Sequence, residues 1–311
     1  MNGLTVVFGS GATGRPIIET LAARGDRVRI AQRGTPTALP DGVEHVACDV
    51  LDVDAVLLAV EGATQVVLAV SFPYDARIWR TAWPKTMTNI LAGCAAAGAR
   101  LVFIDNLYQL GPQTMPRHED MPLSDIGEKP AILSGITRTW QAARGKVQVA
   151  ALRCPDFYGP GVGNAHLGTF ALGELAKGKP AQLLVPADNP HDFAYVPDIA
   201  RAVVTLLDAP DDAYGRVWNM PCSPTQTPRE LLAIGAATLG QRNRVWAVPL
   251  WLMRPLGLVY RFAREVVDVS FTWDRPYTVD ASAFARRFGF ISTPFAVGMP
   301  ATALSFAAKD R

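Results

Sequence analysis

The chain has 311 residues, 49% hydrophobic and 19% charged, with a formal net charge of +2. That length buries a sizeable core and suits one large or two intimate domains, while the near-neutral balance and the lack of basic runs give no electrostatic case for nucleic acid. The four cysteines, Cys48, Cys94, Cys154 and Cys222, lie far apart without metal-ligand spacing and read as buried free thiols.

Leu4, Val6, Val7 and Phe8 form an apolar run that stops at a glycine, the pattern of a buried strand. It starts so close to the first residue that no signal peptide is expected. Gly9, Gly11 and Gly14 follow in the spacing G-x-G-x-x-G, enclosing Ala12 and Thr13. Ile17, Ile18, Leu21 and Ala22 then give a helical apolar stripe that ends at Gly25, and Val28 to Ala31 form a second strand. A glycine loop between strand and helix lets the backbone turn tightly and approach a pyrophosphate, whose charge meets the free amides of the helix N-terminus. The stretch therefore predicts a dinucleotide site at Gly9, Gly11, Ala12, Thr13 and Gly14.

The second strand predicts which dinucleotide. An acidic residue at its end would bond the adenosine ribose hydroxyls, whereas an arginine accommodates a 2′-phosphate. Here the strand ends Gln32-Arg33, with no carboxylate before Asp41, and Arg15 supplies a second cation from the loop. NADP is expected over NAD; the alternative is that Arg33 is an ordinary solvated charge.

Residues 34–42 read as a loop, Val43 to Cys48 as a strand ending at Asp49-Val50, and Asp52 as the cap of a helix through about Val60. Thr64 to Val70 is a nearly pure apolar strand, and Ala69 and Val70 at its end join the expected cofactor set. A helix from about Pro84 to Ala97 and a strand from Leu101 to Ile104 follow. Next come a long loop from Asp105 to Lys129, a helix near Ile132 to Arg144, and a strand from Val147 to Leu152. This alternation predicts an α/β fold, a Rossmann-type doubly wound parallel sheet with a smaller C-terminal substrate domain. The expected division is 1–162 for the NADP-binding domain, with parts of 188–220, and 163–311 for the substrate domain. The apolar stretch Val245 to Val259 is interrupted by Pro249, Arg254 and Pro255 and is too short to span a bilayer. A cytoplasmic protein without membrane partners is expected.

Several motifs carry a resemblance. Asp49-Val50, Leu152-Arg153 with Tyr158-Gly159-Pro160-Gly161, the stretch from His191 to Ala200, and Asp280, Phe288-Gly289-Phe290 and Thr293-Pro294 recur in order after the glycine loop. Together they resemble the extended short-chain dehydrogenases/reductases, the group of NAD-dependent epimerases and dehydratases, nearly end to end. The resemblance implies that Asp49 and Val50 touch the adenine, and that a homodimer forms through the helices at Pro84–Ala97 and Ile132–Arg144. Ile90, Leu91, Ile136 and Trp140 have the spacing to present apolar faces there, with some of them expected to pack on the sheet instead. His191 replaces the family's usual arginine.

The family's chemical motif is absent. None of the seven tyrosines has lysine four residues on; the positions are Ile78, Pro112, Val162, Ile199, Trp218, Arg264 and Ala281. Aligning Gly135 with the family's glycine after the tyrosine puts Ser134 at the tyrosine, Arg138 at the lysine and Asn106 at the serine. Arg138 can keep the lysine's electrostatic and ribose-holding roles, and Asn106 can donate to an oxyanion. Ser134 is too short to replace a phenol and does not titrate usefully. Two proton donors remain. Tyr108 lies on the same loop, and its alternative is packing beneath that loop; Asp156 stands where the family often has asparagine, and its alternative is a capping or salt-bridged role. Asp105 is expected to fix the loop backbone. His118, His166 and His191 show no metal spacing, and His191 is expected to make a structural hydrogen bond.

Phe170, Leu172, Leu175, Trp246, Trp251, Met253 and Phe262 suit a small apolar substrate, with core packing as the alternative. The expected function is an NADP-dependent oxidoreductase acting on a carbonyl or activated alkene of a small apolar molecule. The alternatives are a catalytically silent NADP-binding redox sensor and, third, a nucleotide-sugar epimerase or dehydratase.

Overall fold

The structure, a computed structural model, describes residues 3–36 and 38–308. Its strands are β1 (Leu4–Phe8), β2 (Val28–Gln32), β3 (Glu44–Ala47), β4 (Ala63–Leu68), β5 (Arg100–Asp105), β6 (Val149–Arg153), β7 (Asp156–Tyr158), β8 (Ala181–Leu183), β9 (Phe193–Tyr195), β10 (Arg216–Asn219) and β11 (Val245–Ala247). The helices are α1 (Gly14–Ala23), α2 (Val53–Ala59), α3 (Ala76–Ala97), α4 (Glu128–Ala142), α5 (Gly173–Ala176), α6 (Val196–Asp208), α7 (Pro228–Thr238), α8 (Leu250–Val259), α9 (Arg261–Asp268), α10 (Ser282–Phe288) and α11 (Phe295–Ala307).

The chain forms two compact units. The first comprises Met1–Gln109, Leu123–Arg153 and Ile199–Trp218; the second comprises Leu110–Pro122, Cys154–Asp198 and Asn219–Arg311. In the first, seven strands form a sheet in the order β10-β6-β5-β4-β1-β2-β3, and β1 pairs in parallel with both β2 and β4. The order reverses between β1 and β4, and in such sheets ligands bind beyond the strand ends at that switch point. Val6, Val7 and Phe8 are fully buried, each contributing about 1.5–3 kcal/mol relative to exposure. Ile17, Ile18 and Leu21 of α1 are buried as well.

The sequence pattern missed the seventh strand, β10, whose four residues are too few for a clear alternation. It also misplaced the start of α3. Pro84 reads as a first-turn residue, but the Asp75 side chain caps the helix by accepting from the Arg77 amide at 3.1 Å. Pro84 therefore lies inside α3. An interior proline costs about 3 kcal/mol, and burial of Trp79, Ala82, Trp83 and Met87 on the same helix offsets it. Asp52 caps α2 as expected, accepting from Asp54 and Ala55 amides. Ile90, Leu91, Ile136 and Trp140 are all buried within the single chain. These four side chains pack in its core instead of forming an outward apolar face.

The second unit holds two short parallel strand pairs, β7 with β9 and β8 with β11. Its core includes Leu172, Leu231, Leu232, Phe295, Met299 and Ala303. A capping box between Thr227 and Glu230 starts α7. Asp198, 1% exposed, accepts from the Thr293 amide at 2.6 Å and its hydroxyl at 2.8 Å. That bond joins two of the motifs read from the sequence. Among the described residues, no helix is long and apolar enough to cross a membrane.

Candidate functional site

The glycine loop sits where β1 ends and α1 begins. Gly9 has φ +91°, and a Cβ there would lie 3.0 Å from the Ala69 carbonyl oxygen. A Cβ on Gly14 would lie 2.0 Å from the Gly9 carbonyl oxygen. Both glycines are required for the turn to close against the end of β4. Gly11 differs: a Cβ there meets nothing within 4 Å, so its backbone is open to an approaching group. Thr13, the N-cap of α1, makes no side-chain cap bond, and Ala12 is exposed. An uncapped helix N-terminus behind an open glycine is a receptive seat for a pyrophosphate. These residues fit a dinucleotide.

At the end of β2, Gln32 Oε1 accepts from the Ser10 amide at 3.2 Å and from the Ser10 hydroxyl, while Gln32 Nε2 donates to the Gly34 carbonyl at 2.8 Å. Gln32 thus ties the glycine loop to the next loop in the place where a carboxylate would hold a ribose. Arg15 Nε lies 2.8 Å from Glu19 Oε1, both about half exposed, and it helps line a small pocket with Ser10, Ile18, Pro36 and Leu39. Arg33 is exposed. Asp49 Oδ1 accepts from the Leu51 amide at 3.0 Å. The carbonyl of buried Val50 accepts from Asn89 Nδ2 at 2.9 Å. Ala69 is buried and Val70 half-buried at the end of β4.

At the end of β5 the buried Asp105 organises the loop. Its Oδ1 accepts from the Asn106 amide at 2.9 Å, its Oδ2 accepts from Gln109 Nε2 at 2.6 Å, and Arg153 Nε approaches Oδ2 at 3.4 Å. Asp105 fixes the backbone, as expected. Burial pushes its carboxyl up to about 6, against the opposing pull of Arg153 and the hydrogen bonds. Asn106 Oδ1 in turn accepts from the Tyr108 amide at 2.9 Å, an Asx-type turn. Asn106 is half-buried, as is Tyr108, whose ring packs against the sheet core.

Ser134 and Arg138 lie one turn apart on α4 but in different surroundings. Ser134 is fully buried, and its hydroxyl donates to the Ser124 carbonyl at 2.8 Å; the Ser124 amide donates to the Gln109 carbonyl at 2.7 Å. Ser134 latches the long loop. Arg138 pairs with Asp125 at 3.1 Å, and both side chains are more than half exposed. Lys129, in the first turn of α4, is fully buried with its Nζ 4.3 Å from the Tyr74 ring centroid. Nothing in the spacing of the sequence announces that cation–π contact.

In the second unit, Asp156 Oδ2 lies 2.8 Å from His191 Nε2, the hydrogen bond expected of His191. The imidazole is 1% exposed and stacks between Trp273, at 3.9 Å, and Tyr277, at 4.8 Å. Arg117, itself buried, covers the far side of Tyr277 at 4.0 Å. Burial works to raise the Asp156 carboxyl, but the hydrogen bond from His191 and the nearby His166 outweigh it and leave it below its ordinary range. Burial lowers His166 against the attraction of Asp156. Sequence reasoning did not pair Asp156 with His191, although both replace the residue usual in the family, and that paired replacement was the available signal. No cluster of three potential metal ligands occurs among the described residues.

The apolar set divides. Leu172, Leu175 and Met253 are core residues, whereas Phe170, Trp246, Trp251 and Phe262 are 54–71% exposed.

Structures of known proteins share this architecture. The UDP-glucose 4-epimerase of Thermus thermophilus, determined in complex with NAD, superposes with a TM-score of 0.78 at 20% identity, covering 97% of this chain and 98% of its own. The UDP-glucuronic acid 4-epimerase of Bacillus cereus, in complex with UDP-glucuronic acid and NAD, gives 0.80 at 13% identity over 98% and 99% of the two chains. At such identities the likeness is one of fold. No sequence match to a curated protein was found. Residues 5–220 match the NAD dependent epimerase/dehydratase family, and the chain belongs to that family.

Proposed function

We propose that the protein is an NADP-dependent oxidoreductase acting on a carbonyl or activated alkene of a small apolar molecule. The observation that carries the reading is the glycine loop, where Gly9 and Gly14 are sterically required and Gly11 is left open. NADP is favoured because Gln32, committed to Ser10 and Gly34, replaces a ribose-binding carboxylate, and because Arg33 stands exposed beside it. The dinucleotide supplies the hydride. The protein supplies Asn106, whose amide can donate to a developing oxyanion, and Tyr108, whose phenol is the proton donor on the same loop. Ser134 acts as the loop latch and Arg138 as a positive charge shared with Asp125. The exposed Phe170, Trp246, Trp251 and Phe262 are available to an apolar ligand, since core packing does not account for them. The same reading takes the protein as a homodimer across α3 and α4, through outward side chains such as Ile78, Thr81 and Lys85; sedimentation of the purified chain tests it.

Nucleotide-sugar epimerisation is the second reading, supported by family membership and by the UDP-sugar epimerases that share the fold. Cofactor stoichiometry separates the two. A reductase consumes one reduced dinucleotide per product, whereas an epimerase recycles its cofactor without net consumption. The test incubates the protein with NADPH and a panel of apolar aldehydes, ketones and enones, and in parallel with NAD and UDP-glucose. Stoichiometric NADPH loss supports the oxidoreductase. Conversion of the UDP-sugar with none supports the epimerase, and dinucleotide binding without either leaves the silent sensor.

A further inference from the structure

Asp156 opens β7 directly opposite Phe193 of the parallel strand β9. Its Oδ2 accepts from His191 Nε2 at 2.8 Å, and its Oδ1 has no bonding partner among the described residues. The imidazole is 1% exposed, whereas the carboxylate side chain keeps 19%, so one oxygen is left open to a ligand. The imidazole itself is spent on this contact. His191 Nδ1 is buried without a hydrogen-bond partner, and Trp273 and Tyr277 stack on the ring. An apolar side chain would fill the same slot without leaving a polar atom unbonded. What the imidazole adds is a bond to Asp156. Against the burial that works to raise the carboxyl, that bond and the nearby His166 hold it below its ordinary range.

The charge so held has no permanent counterpart. No lysine or arginine is paired with Asp156 among the described residues, and the buried Arg117 is directed at the Tyr277 ring instead. A metal ion would need further donors, and no group of three potential ligands occurs among the described residues. An ammonium group needs only one carboxylate, and aromatic surroundings favour a cation on an apolar frame. Phe193 stands opposite the carboxylate, and the half-buried His166 packs on Trp273 at 4.3 Å. We propose that the second unit binds an organic cation, an ammonium group on an apolar frame, with Asp156 as its counter-charge. The inference narrows the substrate class of the redox reading and rests on that reading for the ligand's being reduced, not for its binding.

The test is calorimetric titration of the full chain, without dinucleotide, with benzylammonium, benzyl alcohol and phenylacetate at neutral pH. The three share a ring and carry a positive, a neutral or a negative end. Benzylammonium binds about ten- to hundredfold more tightly than benzyl alcohol, the weight of one charge-assisted hydrogen bond, and phenylacetate binds least. Asp156→Asn keeps the shape, removes the charge and brings the ammonium down to the alcohol. Asp188→Asn, which removes an exposed carboxylate paired with Arg229, leaves the ranking unchanged. If Asp156→Asn does not melt cooperatively, the wild-type ranking of the three ligands decides alone. Three results overturn the proposal: benzylammonium binding no more tightly than benzyl alcohol, a preference for it that survives Asp156→Asn, or tighter binding of phenylacetate. The last gives the unit to an anion and to the unbonded nitrogens of Arg117. Failure of the redox reading leaves a different trace: the ammonium binds, yet no NADPH is consumed with phenacylamine, a ketone that carries the same ring and an ammonium group.

Discussion

Gly14→Ala and Gly11→Ala make the same chemical change three residues apart, and the structure sets their consequences far apart. On Gly14 the new methyl carbon would lie 2.0 Å from the Gly9 carbonyl oxygen and 3.4 Å from the Ala69 Cβ. An ordinary carbon–oxygen contact is well over 3 Å, so the loop must open by more than an ångström against a buried strand end. Overpacking of this kind costs about 1–3 kcal/mol, occasionally more. With an unfolding entropy of roughly 2.1 cal/mol/K per residue, 3 kcal/mol lowers the melting midpoint of a 311-residue chain by about 5 °C. On Gly11 the methyl meets nothing, and the midpoint should move by less than about 1 °C. Dinucleotide affinity reads differently. Gly14→Ala loses it because the loop is deformed, and Gly11→Ala loses it because the methyl occupies the open side of the loop. Thermal melts without ligand, paired with fluorescence titration of NADPH, separate the two. If Gly11→Ala binds NADPH as the wild type does, the open side of the loop is not where the pyrophosphate lies, and the site is wrongly placed.

The remaining expectations concern cofactor choice, the proton and pH. Arg33→Ala should cost NADPH about one to two decades in affinity, the weight of a charge-assisted bond to phosphate, and leave NADH unchanged; equal wild-type affinities for the two cofactors would refute the NADP assignment. Tyr108→Phe should lower turnover by about 10²–10⁴-fold with NADPH affinity nearly constant. Asp156→Asn, which keeps the shape of the His191 contact, should cost less, and the reverse ranking moves the proton chemistry to the second unit. The carboxyl of Asp105 is raised from its ordinary 3.8 to about 6, so its contribution to stability is full below the unfolded value and is lost as pH rises through about 6. Melting of Asp105→Asn against wild type from pH 4 to pH 8 should therefore shift in favour of the variant; a constant difference contradicts the buried, raised carboxyl.

Much of the first unit could be read from neighbouring residues because its determinants are local. A strand that stops at Gly9, a turn that needs Gly14, and a helix stripe at Ile17, Ile18 and Leu21 all lie within one stretch of chain. The failures fall where a local signal had two physical meanings. Pro84 reads as a helix start, but Asp75 caps α3 earlier and the helix runs through the proline. Ile90 and Trp140 read as an outward apolar face, yet an apolar stripe has the same spacing whether it meets a partner or the chain's own sheet. Gln32 reads as a missing carboxylate, and only the fold shows it bound to Ser10, twenty-two positions away.

Asp156 shows why the catalytic chemistry was the least legible part. In the sequence it is equally an acid facing substrate or a salt-bridged residue at a strand end. The deciding quantity is the free energy of its charged form, and that is set by His191, thirty-five positions on, and by His166. With the carboxyl below its ordinary range, Asp156 is an anion at neutral pH and has no proton to give. Beside it, burial holds His166 down toward its neutral form. His191 is shielded by Trp273 and Tyr277 and nearly inaccessible. The pair is therefore better built to hold a fixed negative charge than to deliver a proton.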